Sequence, residues 1–231
     1  MTDTVVDMHI HTTRGASDSS LRPVELARAA RRLGLAAVVV TEHDRLWDPL
    51  EVARFRQERS LLLINGMEVS TDLGHVVVIG LHTYLPATRY AEELRRIVNE
   101  ADGYMIAAHP FRHYFNRVEW ERRGLEPRNL DAAEAARLPL LSLVDAIEVL
   151  NGGNSLQENA FALEVAQILG KPGVAGSDAH SHQGIGIYTT VFERSLDSEA
   201  DLLRELRAGR FYPADGLLQG NLQPFTLETE I

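Results

Sequence analysis

An α/β barrel is the fold this chain predicts, and three observations predict it. Strand-like apolar runs alternate with helical patterns from end to end, the pattern of a parallel sheet covered by helices. Seven or eight such runs fit within 231 residues, a length that suits one closed barrel. Polar, metal-competent residues stand just after six of the runs, and in a β/α barrel those C-terminal ends form one mouth. Periodicity alone does not separate a closed barrel from an open doubly wound sheet. In an open sheet, however, the polar ends would be strung along an edge.

The elements follow in order. Val5–His9 is a short strand. Arg22–Leu33 reads as a helix, with Pro23 and Glu25 at its start and Gly34 at its end. Ala36–Thr41 holds Val38-Val39-Val40 and reads as a buried strand. Asp48 as N-cap and Pro49 at the first position open a helix over Asp48–Arg59. Leu61–Ile64 is a strand leading to Gly66 and Glu68, and His75–Gly80 is another. Thr88–Ala101 is a helix and Tyr104–Ala108 a strand stopped by Pro110. The polar stretch Phe111–Arg128 is the longest irregular segment and is expected as a loop or lid over the mouth. Asn129–Leu138 is expected to be helical, Val144–Leu150 a strand, and Ser155–Leu169 a helix ended by Gly170. Gly173–Gly176 and Gly186–Phe192 are strands, and Ser198–Ala208 closes the series as a helix.

Composition narrows the chemistry. There is no cysteine, so disulfides, cysteine zinc sites and thiol catalysis are excluded. Acidic residues number 33 against 23 basic ones, a net charge of −10, which argues against a broad surface for long duplex nucleic acid. No run approaches the roughly 20 apolar residues of a membrane span. The opening Met1-Thr2-Asp3-Thr4 lacks a basic n-region, so a cytoplasmic location without membrane contact is the expectation.

The residues at the strand ends carry the function. His9 and His11 are two apart on a strand and so share a face, which aims two imidazoles at one spot. Thr41-Glu42-His43-Asp44 follows the second strand, Glu68 the third, His109 the run Met105–Ala108, Asn151 the run Ile147–Leu150, and Ser177-Asp178-Ala179-His180 the run Val174–Gly176. Imidazoles with carboxylates suit Zn, Mn or Fe better than the all-oxygen shells of Ca or Mg. A carboxylate such as Glu68 can bridge two cations. His75 opens its strand rather than closing it, so spacing leaves its role open. His82 reads as a surface residue. His113 and His182 lie in polar loops near these residues, where either could donate a proton. Gly152-Gly153 is a turn, not a phosphate loop.

These residues resemble the PHP family, named for polymerase and histidinol phosphatase. The likeness runs from Asp7-Met8-His9-Ile10-His11 through Arg14 and Ser17-Asp18-Ser19, then Gly34-Leu35, Thr41-Glu42-His43-Asp44, Gly66-Met67-Glu68, Gly74-His75, Ala108-His109-Pro110, Ile147-Glu148-Val149-Leu150-Asn151 and Gly176-Ser177-Asp178-Ala179-His180. It continues to the closing segment Leu203–Tyr212 with Ala208-Gly209-Arg210. The resemblance implies one distorted, TIM-like (β/α)7 barrel domain over 1–231, with 194–231 as a C-terminal helix and tail. It implies two or three divalent metal ions (Zn, Mn or Fe) at the mouth. By motif, one ion takes His9, His11, Glu68 and Asp178. A second shares Glu68 and adds His75 and His109. A third takes Asp18, His43 and His180. The family's second motif often reads Thr-Asp-His, whereas Glu42 stands in the middle here, and Asp18 lies far enough past His11 that a loop must bring it back.

The resemblance further implies a metal-dependent phosphoesterase, a phosphatase or phosphodiesterase in which a metal-bridging hydroxide attacks phosphorus. The expected substrate is small, a phosphomonoester or a nucleotide. Arg112 and then Arg14 are the expected phosphate clamps, because guanidinium and phosphate pair bidentately. His182 is the expected proton donor. Two rivals stand beside this reading. An amidohydrolase-type barrel acting on an ester or carbamate also opens with His-X-His, and many such sites bridge their metals with a carboxylated lysine. The sole lysine, Lys171, precedes the seventh strand and so falls at the wrong end of the barrel. The other rival is a non-catalytic, metal-stabilised module of the same family.

Overall fold

A computed structural model describes residues 3–122, 124 and 130–227. The chain begins with β1 (Thr4–Ile10), α1 (Pro23–Leu33), β2 (Ala37–His43), α2 (Pro49–Arg59) and β3 (Leu62–Thr71). A hairpin then gives β4 (Gly74–Ile79), and a 3-10 turn at Pro86–Arg89 precedes α3 (Ala91–Glu100) and β5 (Tyr104–Ala107). Three short helices follow, α4 (Arg117–Arg122), α5 (Ala132–Ala135) and α6 (Pro139–Leu143), before β6 (Ala146–Asn151), α7 (Leu156–Leu169) and β7 (Gly173–Gly176). The chain ends with β8 (Thr189–Phe192), α8 (Glu199–Arg207), β9 (Phe211–Asp215), a 3-10 turn at Leu217–Gln219 and β10 (Gln223–Pro224).

Helix boundaries obey the expected chemistry. Asp48 accepts from the nitrogens of Leu50 and Glu51 to start α2, and Ser155 and Glu158 form a capping box on α7. Gly34 and Gly170 end α1 and α7 at φ 71° and 62°, the left-handed turn that glycine adopts without steric cost.

The strands form one sheet, ordered β10-β9-β8-β1-β2-β3-β4-β5-β6-β7. β1, β2 and β3 pair in parallel, as do β5, β6 and β7. β4 runs antiparallel to both neighbours, which corrects the all-parallel expectation. The sheet curls until the end of β7 meets β1. Ile10 bridges Ala179 in parallel, His11 N donates to Ala179 O at 3.0 Å, and Asp178 N donates to His9 O at 2.7 Å. Near the other end of β1, β8 pairs antiparallel with Thr4–Val6, and Thr190 Oγ1 bonds the Ala175 backbone nitrogen and oxygen, each at 2.9 Å. The result is a distorted α/β barrel of seven strands, with β8, β9 and β10 as an antiparallel extension. The segment 194–231, expected as helix and tail, therefore also supplies sheet, because β9 pairs with β8.

Apolar side chains divide by layer. Val6, Met8, Val39, Ile64, Val77, Ile106, Ala146 and Val174 pack together from all seven barrel strands and fill the lumen. Leu26, Ala30, Val38, Val40 and Leu63 pack between sheet and helices on one side, and Leu94, Met105, Val149, Ala162 and Ala166 on the other. A register shift between Asp7 and Ile10 on β1 changes which side chains face inward. Beyond Val6 and Met8 the lumen therefore receives His9 and His11.

Other expectations shift in detail. The helix expected over Thr88–Ala101 is split into a 3-10 turn and α3, and the strand expected over Gly186–Phe192 forms only from Thr189. Of the helix expected over Asn129–Leu138, only Ala132–Ala135 is helical, and residue 129 lies outside the described residues. The expected irregular stretch Phe111–Arg128 contains α4, while residues 123 and 125–128 lie outside the described residues.

Candidate metal centre

Glu68 is the hub of the mouth. It is buried on β3, and both carboxylate oxygens face histidines. Oε2 lies 3.5 Å from His9 Nε2, 3.2 Å from His11 Nε2 and 3.1 Å from His43 Nδ1. Oε1 lies 2.8 Å from His75 Nδ1 and 2.9 Å from His109 Nε2. Asp178 joins from the loop after β7, with Oδ1 3.7 Å from His9 Nε2 and 3.3 Å from His11 Nε2. The two imidazole nitrogens of His9 and His11 are themselves 3.0 Å apart.

These separations test whether a metal fits. Tetrahedral bonds of about 2.0–2.2 Å place donor atoms about 3.3–3.6 Å apart. In the set His9, His11, Glu68 and Asp178, the two histidine nitrogens lie 3.0 to 3.7 Å from each other and from both carboxylates, and His9, His11 and Asp178 converge as one group. The donors are imidazoles and carboxylates directed at one point, a set that suits a divalent transition ion. His9, Glu68 and His109 form a second group of converging donors, and His11, His43 and His180 a third. Asp18 comes back across the mouth as its loop requires, with Oδ2 3.5 Å from His43 Nε2 and 3.4 Å from His180 Nε2. The structure thus brings together all nine residues singled out from the motifs.

Strand direction explains His75. Because β4 is antiparallel, its first residues lie at the end where its parallel neighbours finish. Ser70 on β3 pairs with His75, so a residue that opens its strand still reaches the mouth. Local backbone also matters. His109 and Asp178 adopt φ of 31° and 53°, a region that costs non-glycine residues of order 1–3 kcal/mol. Each is held there by a short hydrogen bond, His109 N to Glu148 Oε2 at 2.7 Å and Asp178 N to His9 O at 2.7 Å.

The electrostatics are those of a site that wants cations. Burial pushes Glu68 up, but His109, His11, His43 and His75 overcome it and hold the carboxyl well below its usual range. Asp178 is likewise raised by burial and then pulled far down by His9, His11 and Arg112. Burial works against a charged His9, yet Glu148 and Asp178 prevail and raise it well above 6.5. His43 is raised chiefly by its hydrogen bond to Glu68. His109 goes the other way, lowered first by burial, with the Arg112 charge adding to it.

The expected phosphate and proton groups divide. Arg112 reaches the centre, where it pairs with Asp178 Oδ2 and donates to Asn151 Oδ1 at 2.5 Å. With His75, His109 and His113 it lines a cavity of about 720 Å³ whose far wall is Leu73, Leu138, Pro139 and Leu140. Arg14 turns away instead, its guanidinium 3.2 Å from Glu51 on α2. His182 lies beside Glu25, Arg28 and Arg32 of α1, apart from the metal-type donors. His82 is exposed, 3.6 Å from Glu199. Lys171 lines a different cavity with Tyr104 and Asp145, at the N-terminal ends of β5 to β7, and its amine bonds Val144 O. No lysine stands at the mouth.

Three of the buried carboxylates brace the centre without having been singled out from the sequence as site residues. Glu148 on β6 lies with Oε1 3.0 Å from His9 Nδ1. Asp7 accepts from the nitrogens of Ser177 at 2.9 Å and Gly186 at 3.0 Å, tying β1 to the loops after β7. Glu42 accepts from Thr12 N at 3.1 Å and Trp47 Nε1 at 2.7 Å, which fixes the loop leaving His11. The signal available was an acid flanked by apolar residues inside a strand, as in Ile147-Glu148-Val149, since such an acid is buried with partners.

The PHP domain model matches residues 7–123, and the PHP-associated model matches residues 157–211. An uncharacterised protein of Methanocaldococcus jannaschii is 25% identical over 114 residues, covering 46% of this chain and 67% of that protein. A 3',5'-nucleoside bisphosphate phosphatase of Chromobacterium violaceum is 31% identical over 86 residues, 36% of this chain and only 30% of that enzyme. Among solved structures, PsfC of Pseudomonas syringae superposes with a TM-score of 0.59 at 19% identity, covering 88% of each chain.

Proposed function

The chain belongs to the PHP domain family, and from that premise we propose that it is a metal-dependent hydrolase of small phosphoesters, a phosphomonoester or a nucleotide. The observation that carries the reading is Glu68. One of its oxygens closes the set with His9, His11 and Asp178, while the other faces His75 and His109. A single carboxylate is thereby shared between two groups of donors, the arrangement that two-metal phosphoester chemistry uses. Asp18, His43 and His180 are the residues for a third ion. When bound, divalent ions supply charge for phosphoryl oxygens and an activated water at neutral pH.

The chain's own residues do the rest. Arg112 is the phosphate clamp: its guanidinium already holds one carboxylate at the rim, and a phosphoryl group offers the same paired acceptors. The cavity beside it receives the alcohol side of the ester. His113 lines the same cavity and is the candidate donor of a proton to the leaving oxygen. The leucine and proline lining favours a leaving group with apolar surface. The bisphosphate phosphatase from Chromobacterium violaceum makes a nucleotide one candidate substrate.

A carboxylated-lysine site is set aside by the position of Lys171. The test is turnover of a generic phosphomonoester and a generic phosphodiester as zinc or manganese is titrated in. Hydrolysis that rises with bound metal and stops with chelator supports the reading. Full metal loading with no hydrolysis of either ester refutes it and leaves a metal-stabilised module.

A further inference from the structure

Glu148 occupies a position where a carboxylate is hard to explain by packing. It sits on β6 between Ile147 and Val149 and is 2% exposed. Three polar groups converge on it. Oε1 lies 3.0 Å from His9 Nδ1. Oε2 receives the backbone nitrogen of His109 at 2.7 Å and Asn151 Nδ2 at 2.9 Å. The neighbouring strand leaves room for it: a Cβ on Gly176 would collide with His9 Cβ and lie 3.0 Å from Glu148 Oε1.

An ionised carboxylate only accepts hydrogen bonds. Facing Oε1, a His9 that has given up one proton keeps the other on Nδ1, so Nε2 is the nitrogen it presents toward His11, Glu68 and Asp178. Oε2 at the same time holds the backbone of His109 at its positive φ. We propose that Glu148 is a positioning residue for two metal ligands: it selects the nitrogen that His9 presents and fixes the turn from which His109 reaches in. The proposal rests on the metal-dependent reading above and assigns a role to a residue outside the ligand set.

Glu148→Gln tests it at constant size. His109 N–H cannot turn, and Asn151 donates beside it, so the glutamine oxygen must face them and its amide NH2 must face His9 Nδ1. His9 then accepts at Nδ1 and carries its proton on Nε2, where a metal would bind. Zinc titration should show about one equivalent fewer at the wild-type affinity, with that equivalent weakened by roughly 10–100-fold. Long-range proton–nitrogen spectra should show His9 protonated on Nδ1 in the zinc-loaded wild type and on Nε2 in the variant. A purely structural Glu148 would change melting temperature and leave the tautomer alone. Unchanged zinc binding with His9 still protonated on Nδ1 overturns the proposal while sparing the metal-dependent reading. A zinc-loaded wild type with His9 protonated on Nε2 also overturns it, and that result needs no variant to fold. A wild type that binds no zinc overturns both.

Discussion

Residue by residue, the mouth holds charge that only cations can balance. Glu68 and Asp178 are both held ionised, and without metal His9 serves as their counter-ion. A metal must therefore displace a proton from His9, whose pKa lies well above 6.5 because Glu148 and Asp178 outweigh burial. The two carboxylates give up no proton in the neutral range. Zinc affinity should thus rise as pH increases through the neutral range, with net proton release, read by calorimetry in buffers of different ionisation enthalpy. A flat profile would place the raised pKa in doubt. His9→Ala removes one donor from the set around Glu68 and should lower metal content and turnover together. Turnover at the wild-type level would remove His9 from the machinery. Several of these residues were legible in the sequence because their logic is local. His9 and His11 share a face by the two-residue period of a strand, Glu68 follows the apolar run that opens β3, and His109 and Asp178 stand just past the ends of β5 and β7. Arg14 misled because its length lets Glu51 capture it, and His182 because two residues past His180 the chain has already turned toward α1.

At the level of elements, what positions the ligands is direction and close approach. The sequence pattern marks β4 as a strand without giving its direction, since a hairpin and a crossover differ only in pairing. Spacing alone therefore leaves His75 open, whereas its pairing with Ser70 puts it at the mouth. The same holds for Glu148, an ordinary strand residue by pattern, whose role emerges only when β6 lies against His9 and His109. The contact of β7 with β1 is equally tight. Gly176→Ala would place a methyl against His9 Cβ and 2.8 Å from His9 N, with backbone on one side and Glu148 on the other. Overpacking of this kind costs about 1–3 kcal/mol or more. Melting should drop by several degrees, and zinc binding at His9 should weaken in proportion. A variant as stable as the wild type would mean that β1 and β7 separate more easily than their hydrogen bonds suggest.

Across the whole molecule, the alternation of strands and helices foretold a barrel, but not how it closes. Closure depends on long-range contacts that no local pattern encodes, above all Asp7, which joins β1 to Ser177 and Gly186. Burial lifts the Asp7 carboxyl from 3.8 to about 6, against the hydrogen bonds that lower it. The folded chain keeps this proton to higher pH than the unfolded chain does. Its contribution to stability is therefore full below about pH 4 and lost as pH rises through about 6. Relative to Asp7→Asn, which cannot titrate, the wild type should lose of order 2–3 kcal/mol across that window in urea unfolding; parallel curves would exclude a buried, titrating clamp. Among the described residues no helix is long and apolar enough to cross a membrane, and the barrel presents its chemistry at one end only. The most direct test of the account is turnover against metal loading: phosphate released from a generic phosphomonoester, together with cleavage of a generic phosphodiester, followed as the metal-free protein is titrated with zinc or manganese. Hydrolysis of at least one ester should climb as the Glu68-centred sites fill and be abolished by Glu68→Gln. Saturated metal sites with neither ester cleaved would contradict it.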